Sequence, residues 1–68
     1  MIRMTQAREG AGWSRTELGR RARIHPSRVG GFELKRVVPY PVELKRLAKA
    51  LQWADEPELL LEEAGDDA

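Results

Sequence analysis

Apolar residues recur every three or four positions in five segments of the chain, and this spacing predicts helices. The fourth segment shows it most clearly, because Leu44, Leu47, Ala48 and Leu51 fall on one helical face. Prolines and glycines separate the segments. The pattern predicts an all-α, compact five-helix bundle, with helices at about residues 2–10, 15–22, 26–34, 41–51 and 56–64.

The starts of the second and third helices carry the strongest local signals. Ser14 and Glu17 have the spacing of a capping box, in which Ser14 caps the Glu17 N–H and Glu17 reaches back. Trp13 and Leu18 have the spacing of the accompanying hydrophobic staple. Pro26 favours the first turn of a new helix and ends the previous one. Two short helices joined by a turn of about three or four residues are typical of a helix-turn-helix.

Two adjacent glycines, Gly30 and Gly31, lie inside the third predicted helix. Each costs roughly 1 kcal/mol relative to alanine in a helix interior. Close packing against a neighbouring segment would explain them structurally. Close approach to a ligand or to the wall of a groove would explain them functionally, and the sequence leaves both explanations open.

Charge is unevenly distributed along the 68 residues, although the formal net charge is only +1. Residues 1–36 hold nine Lys and Arg against three acidic residues, whereas residues 37–68 hold three against eight. This asymmetry favours a polyanion as the partner of the basic half. The alternative is that the charges only keep a small domain in solution.

Length and composition limit the remaining possibilities. A chain of this length predicts one domain spanning residues 1–68, in which residues 65–68 form a frayed tail. With no cysteine and one histidine, the chain has no thiol chemistry, and we expect no enzyme activity, metal or cofactor. No apolar run approaches the length of a membrane span, and we expect a cytoplasmic protein without a membrane partner.

The last predicted helix carries three consecutive leucines, which cover more than one helical face. One or two of them can enter the core. We expect the others to form a dimer interface with a nearby tryptophan, and the candidates are Trp53, Leu60 and Leu61. The alternative is that all of these side chains fold onto the small core of a single chain.

Several of these features occur together in one known family. The series Trp13 to Gly19, Ile24, Val29, Glu33, Pro39 and Leu44 to Leu51 resembles the phage-repressor and Cro type helix-turn-helix domain, also called the xenobiotic-response-element family. The resemblance covers about residues 2–61. It implies a five-helix fold whose third helix lies in the major groove of double-stranded DNA. The implied function is a small transcription regulator of the repressor type, acting as a homodimer on a two-fold site.

The resemblance also carries functional positions onto this chain. Base contacts of the family fall on Pro26, Ser27 and Gly31, and contacts to the DNA backbone fall near Arg15 and on the loop Lys35-Arg36. Together with side chains able to contact guanine or phosphate, the predicted DNA-binding residues are Arg15, Thr16, Pro26, Ser27, Arg28, Gly31, Lys35 and Arg36. In several members an arginine of the first helix pairs with the glutamate of the recognition helix. Those positions are Arg8 and Glu33 here, and the pair would tie the two helices together.

The chain departs from the family pattern at the positions that would read bases. Pro26 offers no donor and Gly31 no side chain, so only Ser27 among the matched positions can hydrogen-bond to a base edge. Gly19 replaces the usual alanine, which predicts looser packing between the two helices of the motif. Lys35 replaces a residue that is often glycine, so we expect the helix end there to be held differently.

The depleted reading helix supports an alternative function from a different class. A protein of this fold can act as an adaptor that binds a toxin or a component of the transcription machinery, with little sequence-specific DNA readout. An acidic, leucine-rich C-terminal segment is compatible with this alternative. The two functions differ in their salt dependence, because binding through several phosphate contacts weakens steeply as salt increases.

Overall fold

The computed structural model describes residues 1–65, which contain four α-helices and one short 3₁₀ helix joined by loops. The helices are α1 (Arg3–Gly10), α2 (Arg15–Ala22), α3 (Pro26–Glu33) and α4 (Pro41–Ala50), and the 3₁₀ helix is Pro57–Leu61. Helix α2 packs on both α3 and α4, while the 3₁₀ helix packs on α1 and α4. The all-α prediction is confirmed. Of the predicted tail, residues 66–68 lie outside the described part of the chain.

The core draws apolar side chains from every element. Those with less than a tenth of their surface exposed are Ile2, Met4, Leu18, Ala22, Ile24, Val29, Phe32, Leu44, Leu47, Ala48 and Leu60. The 3.6-residue period of α4 explains why Leu44, Leu47 and Ala48 point inward together. Leu51, the last residue of that predicted pattern, is only half-buried because α4 ends at Ala50.

The two helices of the central motif begin where the sequence indicates, with one difference. Ser14 Oγ accepts a hydrogen bond from the Glu17 N–H at 3.0 Å, as an N-cap does. The carboxylate of Glu17 instead accepts hydrogen bonds from Arg20 and Arg21, so the prediction that it reaches back to Ser14 is wrong. Helix α3 begins at Pro26, and the preceding residue, His25, caps it through Nδ1, which accepts the Ser27 N–H at 3.1 Å.

The last helix is shorter than predicted, because the chain turns back to pair with its own N-terminal segment. Ile2 and Glu63 form an antiparallel bridge, flanked by hydrogen bonds from Arg3 N–H to Glu62 O and from Ala64 N–H to Met1 O, both 2.8 Å. Glu62, which follows the 3₁₀ helix, has an extended backbone. The segment predicted as a helix over 56–64 contains a 3₁₀ helix of five residues.

Gly19 holds α2 and α3 closer together than an alanine would allow. A Cβ atom built on Gly19 would lie 2.4 Å from the carbonyl oxygen of Ile24 and 3.3 Å from the nitrogen of Pro26. The Ile24 N–H also donates to Gly19 O at 2.8 Å. The prediction of looser packing at this position is therefore wrong: the glycine permits a tight turn between the two helices.

Candidate nucleic-acid interface

A buried carboxylate joins three elements behind the outer surface of α3. Glu33, at the end of α3, accepts hydrogen bonds from Arg8 Nε at 2.7 Å and from Arg8 Nη2 at 3.0 Å. It also accepts one from Arg15 Nε at 2.9 Å. A further nitrogen of Arg8 donates to the carbonyl oxygen of Trp13 at 2.8 Å, so the loop between α1 and α2 is held in the same network.

The charges of this network compensate one another inside the protein. The Glu33 side chain is 1% exposed and that of Arg8 is 10% exposed. Burial by itself would raise the pKa of Glu33, but the hydrogen bonds from Arg8 and Arg15 outweigh it and leave the pKa below its usual range. The hydrogen bond with Glu33 in turn raises the pKa of Arg8. Both groups are therefore charged at neutral pH, and the network fixes α1 against α2 and α3.

Arg15 connects this network to the surface. It is the first residue of α2, and its side chain is 43% exposed although its Nε is bound to Glu33. Its terminal nitrogens make no hydrogen bond within residues 1–65. The guanidinium lies beside the glycine pair of α3, since a Cβ on Gly30 would be 3.6 Å from Arg15 Nη1. Arg15 therefore presents a positioned cation with unused donors next to the outer face of α3.

The outer face of α3 offers few groups that could read a base. Ser27 is exposed, and its Oγ lies 2.8 Å from His25 Nδ1. Pro26 has no N–H. At Gly31 a Cβ would lie 2.6 Å from Cγ2 of Val37, because the loop after α3 folds against the helix at this point. Close packing thus accounts for Gly31, whereas Gly30 has room for a methyl group.

Arg28 is committed to the scaffold in this structure. Its Nε and Nη2 donate to the two carboxylate oxygens of Glu43, each at 2.8 Å, and its guanidinium lies over the rings of Phe32 and Tyr40. Glu43 also accepts the Tyr40 N–H at 2.8 Å at the start of α4. A bidentate contact from Arg28 to a base would require the pair with Glu43 to open.

The remaining residues predicted to contact phosphate are exposed and lie near the two ends of the motif. Thr16 is exposed in the first turn of α2. Lys35 adopts a left-handed backbone conformation with φ of 62°, a conformation that favours the glycine often found at this position. Its Nζ forms an ion pair with Glu63. Arg36 is exposed, and no acidic side chain of the described residues pairs with it. Exposed pairs such as Lys35–Glu63 contribute little, so Lys35 can exchange Glu63 for a phosphate.

An apolar patch on the loop between α3 and α4 and on the first turn of α4 was not anticipated from the sequence. Its members are Leu34, Val37, Val38, Tyr40 and Val42, which are 38–78% exposed. The signal in the sequence was the Val37-Val38 pair beside Pro39, in a loop where polar residues would be usual. This apolar loop patch lies next to the basic residues of the same loop.

The candidate dimer residues have different surroundings. Leu60 is fully buried in the core of the single chain, so its prediction as an interface residue is wrong. Trp53 and Leu61 pack partly on that core and are half-buried. The indole N–H of Trp53 donates to the carbonyl oxygen of Glu56 at 2.9 Å, which holds the ring in place.

The described residues contain neither a metal-binding group nor a membrane-spanning helix. Nowhere in residues 1–65 do three or more His, Asp or Glu side chains lie together as metal ligands would. None of the helices in this part of the chain has the length and apolar character needed to cross a bilayer.

Comparison with known proteins identifies the arrangement of α2, the turn and α3. A family model described as a helix-turn-helix domain matches residues 2–61, which is most of the chain. Searches among curated proteins and among solved structures returned no significant match. The matched residues include both helices of the motif, the network around Glu33 and the loop that follows α3.

Proposed function

The chain belongs to the helix-turn-helix domain family, and on this premise we propose that it is a transcription regulator that binds double-stranded DNA. In this proposal α3 enters the major groove and the start of α2 faces the DNA backbone. The proposed location of the protein is the cytoplasm. The function is binding, and no catalytic step is involved.

The observation that carries the proposal is the placement of Arg15. A side chain that is held through Nε by a buried carboxylate is ordered before any ligand arrives, so little conformational entropy is lost on binding. The terminal nitrogens remain available for a phosphate or a base, and arginine binds both bidentately. The network behind Arg15 therefore has a purpose beyond stability: it aims a cation at the surface beside α3.

Other exposed groups supply the rest of the proposed interface. Thr16, Lys35 and Arg36 would contact phosphates on either side of α3, which fixes orientation without reading sequence. Ser27 would be the main hydrogen-bonding group toward the bases, with Pro26 and Gly31 allowing close approach of the helix. Arg28 would position α3 through Glu43 rather than contact a base in this arrangement.

We further propose that the regulator acts as a homodimer on a two-fold site. A single copy with one serine able to read bases discriminates weakly, and a second copy doubles both the phosphate and the base contacts. Because Leu60 is buried in the core of the single chain, the candidate interface residues are the half-buried Trp53 and Leu61. Sedimentation equilibrium of the free protein and of its duplex complex tests this: a complex of one chain per duplex would contradict it.

The experiment for Arg15 compares three variants in fluorescence-anisotropy titrations of a labelled duplex. Arg15→Gln should weaken binding by about 5–150-fold, the equivalent of about 1–3 kcal/mol for a lost bidentate contact. Arg15→Lys keeps the charge and should recover part of that loss. The matched control is Arg20→Gln on the same helix, whose side chain is 68% exposed and pairs with Glu17.

The outcome depends on whether the loss is specific to Arg15. If Arg20→Gln weakened binding as much as Arg15→Gln, general charge rather than an aimed side chain would account for binding, and the proposal for Arg15 would fail. Circular dichroism of Arg15→Gln checks that loss of the hydrogen bond to Glu33 has not unfolded the domain.

The apolar loop patch favours a second candidate function, an adaptor that binds another protein. Val38 and Tyr40 of this patch are 78% and 66% exposed, and a cluster of exposed apolar side chains is typical of a protein-binding surface. Val38→Ser removes apolar surface without changing charge. For an adaptor this variant should lose its protein partner and leave the weak, salt-sensitive DNA binding unchanged. For a DNA-binding regulator it should leave the affinity for a specific duplex nearly unchanged.

A further inference from the structure

A cavity on a different part of the surface is lined by four cationic residues and two alanines. It lies between the C-terminal ends of α2 and α4, has a volume of about 380 Å³ and is lined by Arg21, Ala22, Arg23, Arg46, Lys49 and Ala50. Among residues 1–65, no acidic residue lines it. None of the residues in the proposed DNA interface lines it either, so the cavity is separate from the face that includes Arg15.

The cations of the cavity are positioned to different degrees. Arg21 stacks on the ring of Trp13, 4.2 Å from its centroid, and donates through Nε to Glu17 at 2.6 Å. Arg46 donates through Nη1 to the carbonyl oxygen of Arg23 at 3.3 Å. Arg21 and Arg46 therefore come from different helices and are each held by one hydrogen bond. Their remaining N–H donors have no partner in the described part of the chain.

Arg46 also contains a polar atom that the protein leaves without a partner. Its Nε is buried and makes no hydrogen bond within residues 1–65. A buried donor without a partner is unfavourable, because it has lost its hydrogen bonds to water without gaining others. Arg23 and Lys49 form no ion pair with an acidic side chain in the same part of the chain. Helix C-termini attract cations, and here four line one concave site, of which only Arg21 is paired with an acidic side chain in residues 1–65.

We propose that this cavity binds a small phosphate-bearing molecule. Its volume lies at the lower end of the range for small-molecule sites, which suits an inorganic pyrophosphate or the phosphate groups of a nucleotide better than a large ligand. Arginines bind phosphate oxygens bidentately, and lysine adds a compact charge. A multivalent anion would compensate the charges of Arg23, Arg46 and Lys49, since Arg21 is already paired with Glu17, and would accept hydrogen bonds from the arginines that line the cavity. The site also touches Arg23 in the turn before α3, so an occupant would stabilise the turn that presents the recognition helix.

Isothermal titration calorimetry with inorganic pyrophosphate at constant ionic strength tests the proposal. The wild-type protein should bind one pyrophosphate per chain in a saturable manner. Lys49→Gln should weaken that binding by about tenfold, because one of four converging charges is lost. The matched control is Lys45→Gln, which removes an exposed lysine from the same helix outside the cavity. Lys49 makes no hydrogen bond to the described protein, so its substitution should not affect folding, whereas Arg46→Gln removes the contact to Arg23.

Each result decides for or against the site. Saturable binding that is weakened by Lys49→Gln and unchanged in Lys45→Gln supports the proposal. Absence of saturable binding, or equal losses in the two variants, would overturn it in favour of general charge attraction. Repeating the titration with bound duplex should leave pyrophosphate binding intact. Displacement by the duplex, with Lys49→Gln weakening duplex binding as well, would assign the cavity to the DNA backbone and also overturn the proposal.

Discussion

Replacing Glu33 with glutamine tests how far the fold depends on its buried charge network. The amide keeps one oxygen, and if that oxygen occupies the Oε1 position it still accepts from Arg15 and from Arg8 Nη2. The amide nitrogen then faces the Arg8 Nε–H, which was 2.7 Å from Oε2, so two donors oppose each other. One charge-assisted hydrogen bond is lost, and the largely buried guanidinium of Arg8 keeps as its acidic partner only the exposed carboxylate of Glu9, 3.8 Å away.

The expected cost follows from that geometry. A hydrogen bond to a charged group contributes about 1.5–3 kcal/mol, and removing one partner of a buried ion pair costs about 3–5 kcal/mol. Because glutamine keeps two of the three contacts, we expect the lower end, about 3 kcal/mol. A domain of this length has a free energy of unfolding of roughly 3–10 kcal/mol. The substitution should therefore remove a large share of the stability, or lower the melting temperature by roughly 12–24 °C.

Urea denaturation followed by circular dichroism at several pH values provides the measurement. The pKa of Glu33 is lowered in the folded protein, so its stabilising contribution is fully present above the unfolded-state pKa of about 4.3 and is lost as the pH falls through the folded-state pKa. Glu33→Gln should remove that part of the acid sensitivity. The matched control is Glu17→Gln, because Glu17 also binds two arginines but lies on the surface. The urea midpoint of this variant should shift much less than that of Glu33→Gln. Equal shifts in the two variants would refute the reasoning from burial.

Three further substitutions test the packing of the motif. Gly19→Ala should destabilise the domain by about 1–3 kcal/mol, because the added Cβ would meet the backbone of Ile24. Gly30→Ala has room for its Cβ and should stabilise the domain by about 0.5–1 kcal/mol. Thermal melts compare the two variants, and equal effects would contradict the close contact at Gly19. Gly31→Ala should lower the melting temperature, and combination with Val37→Ala should restore it, since the obstacle is a side chain; lack of rescue would point to another cause. Ser14→Ala should cost about 1 kcal/mol through loss of the N-cap, and an unchanged urea midpoint would argue against that cap.

The parts of the fold that local chemistry decides could be predicted from the sequence. Ser14, Pro26 and Pro41 mark helix starts through capping and backbone geometry, and α2, α3 and α4 begin where these residues place them. The end of the chain could not be predicted in the same way. Whether residues after Leu61 continue a helix depends on the bridge between Ile2 and Glu63, which are distant in sequence.

The candidate site shows the same division between local and distant contacts. The spacing of the motif identified α3 and the arginine-rich surface, and the family pattern pointed to Arg8 and Glu33. Nothing near Arg28 in the sequence indicates that Glu43 engages it, because the pair forms only when α4 packs beside α3. The contact between Val37 and Gly31 likewise depends on the path of the loop.

The salt dependence of DNA binding tests the central claim most directly. The protein is titrated into two labelled duplexes, the region upstream of its own coding sequence and a scrambled duplex of equal composition, across a series of salt concentrations. Arg15, Lys35 and Arg36 from each of two copies would make up to six phosphate contacts, which predicts that log K falls against log salt with a slope of about −5. A regulator should bind the upstream duplex about a hundredfold more tightly at moderate salt, the scale of a few discriminating base contacts. Absence of binding to either duplex would contradict a DNA-binding function.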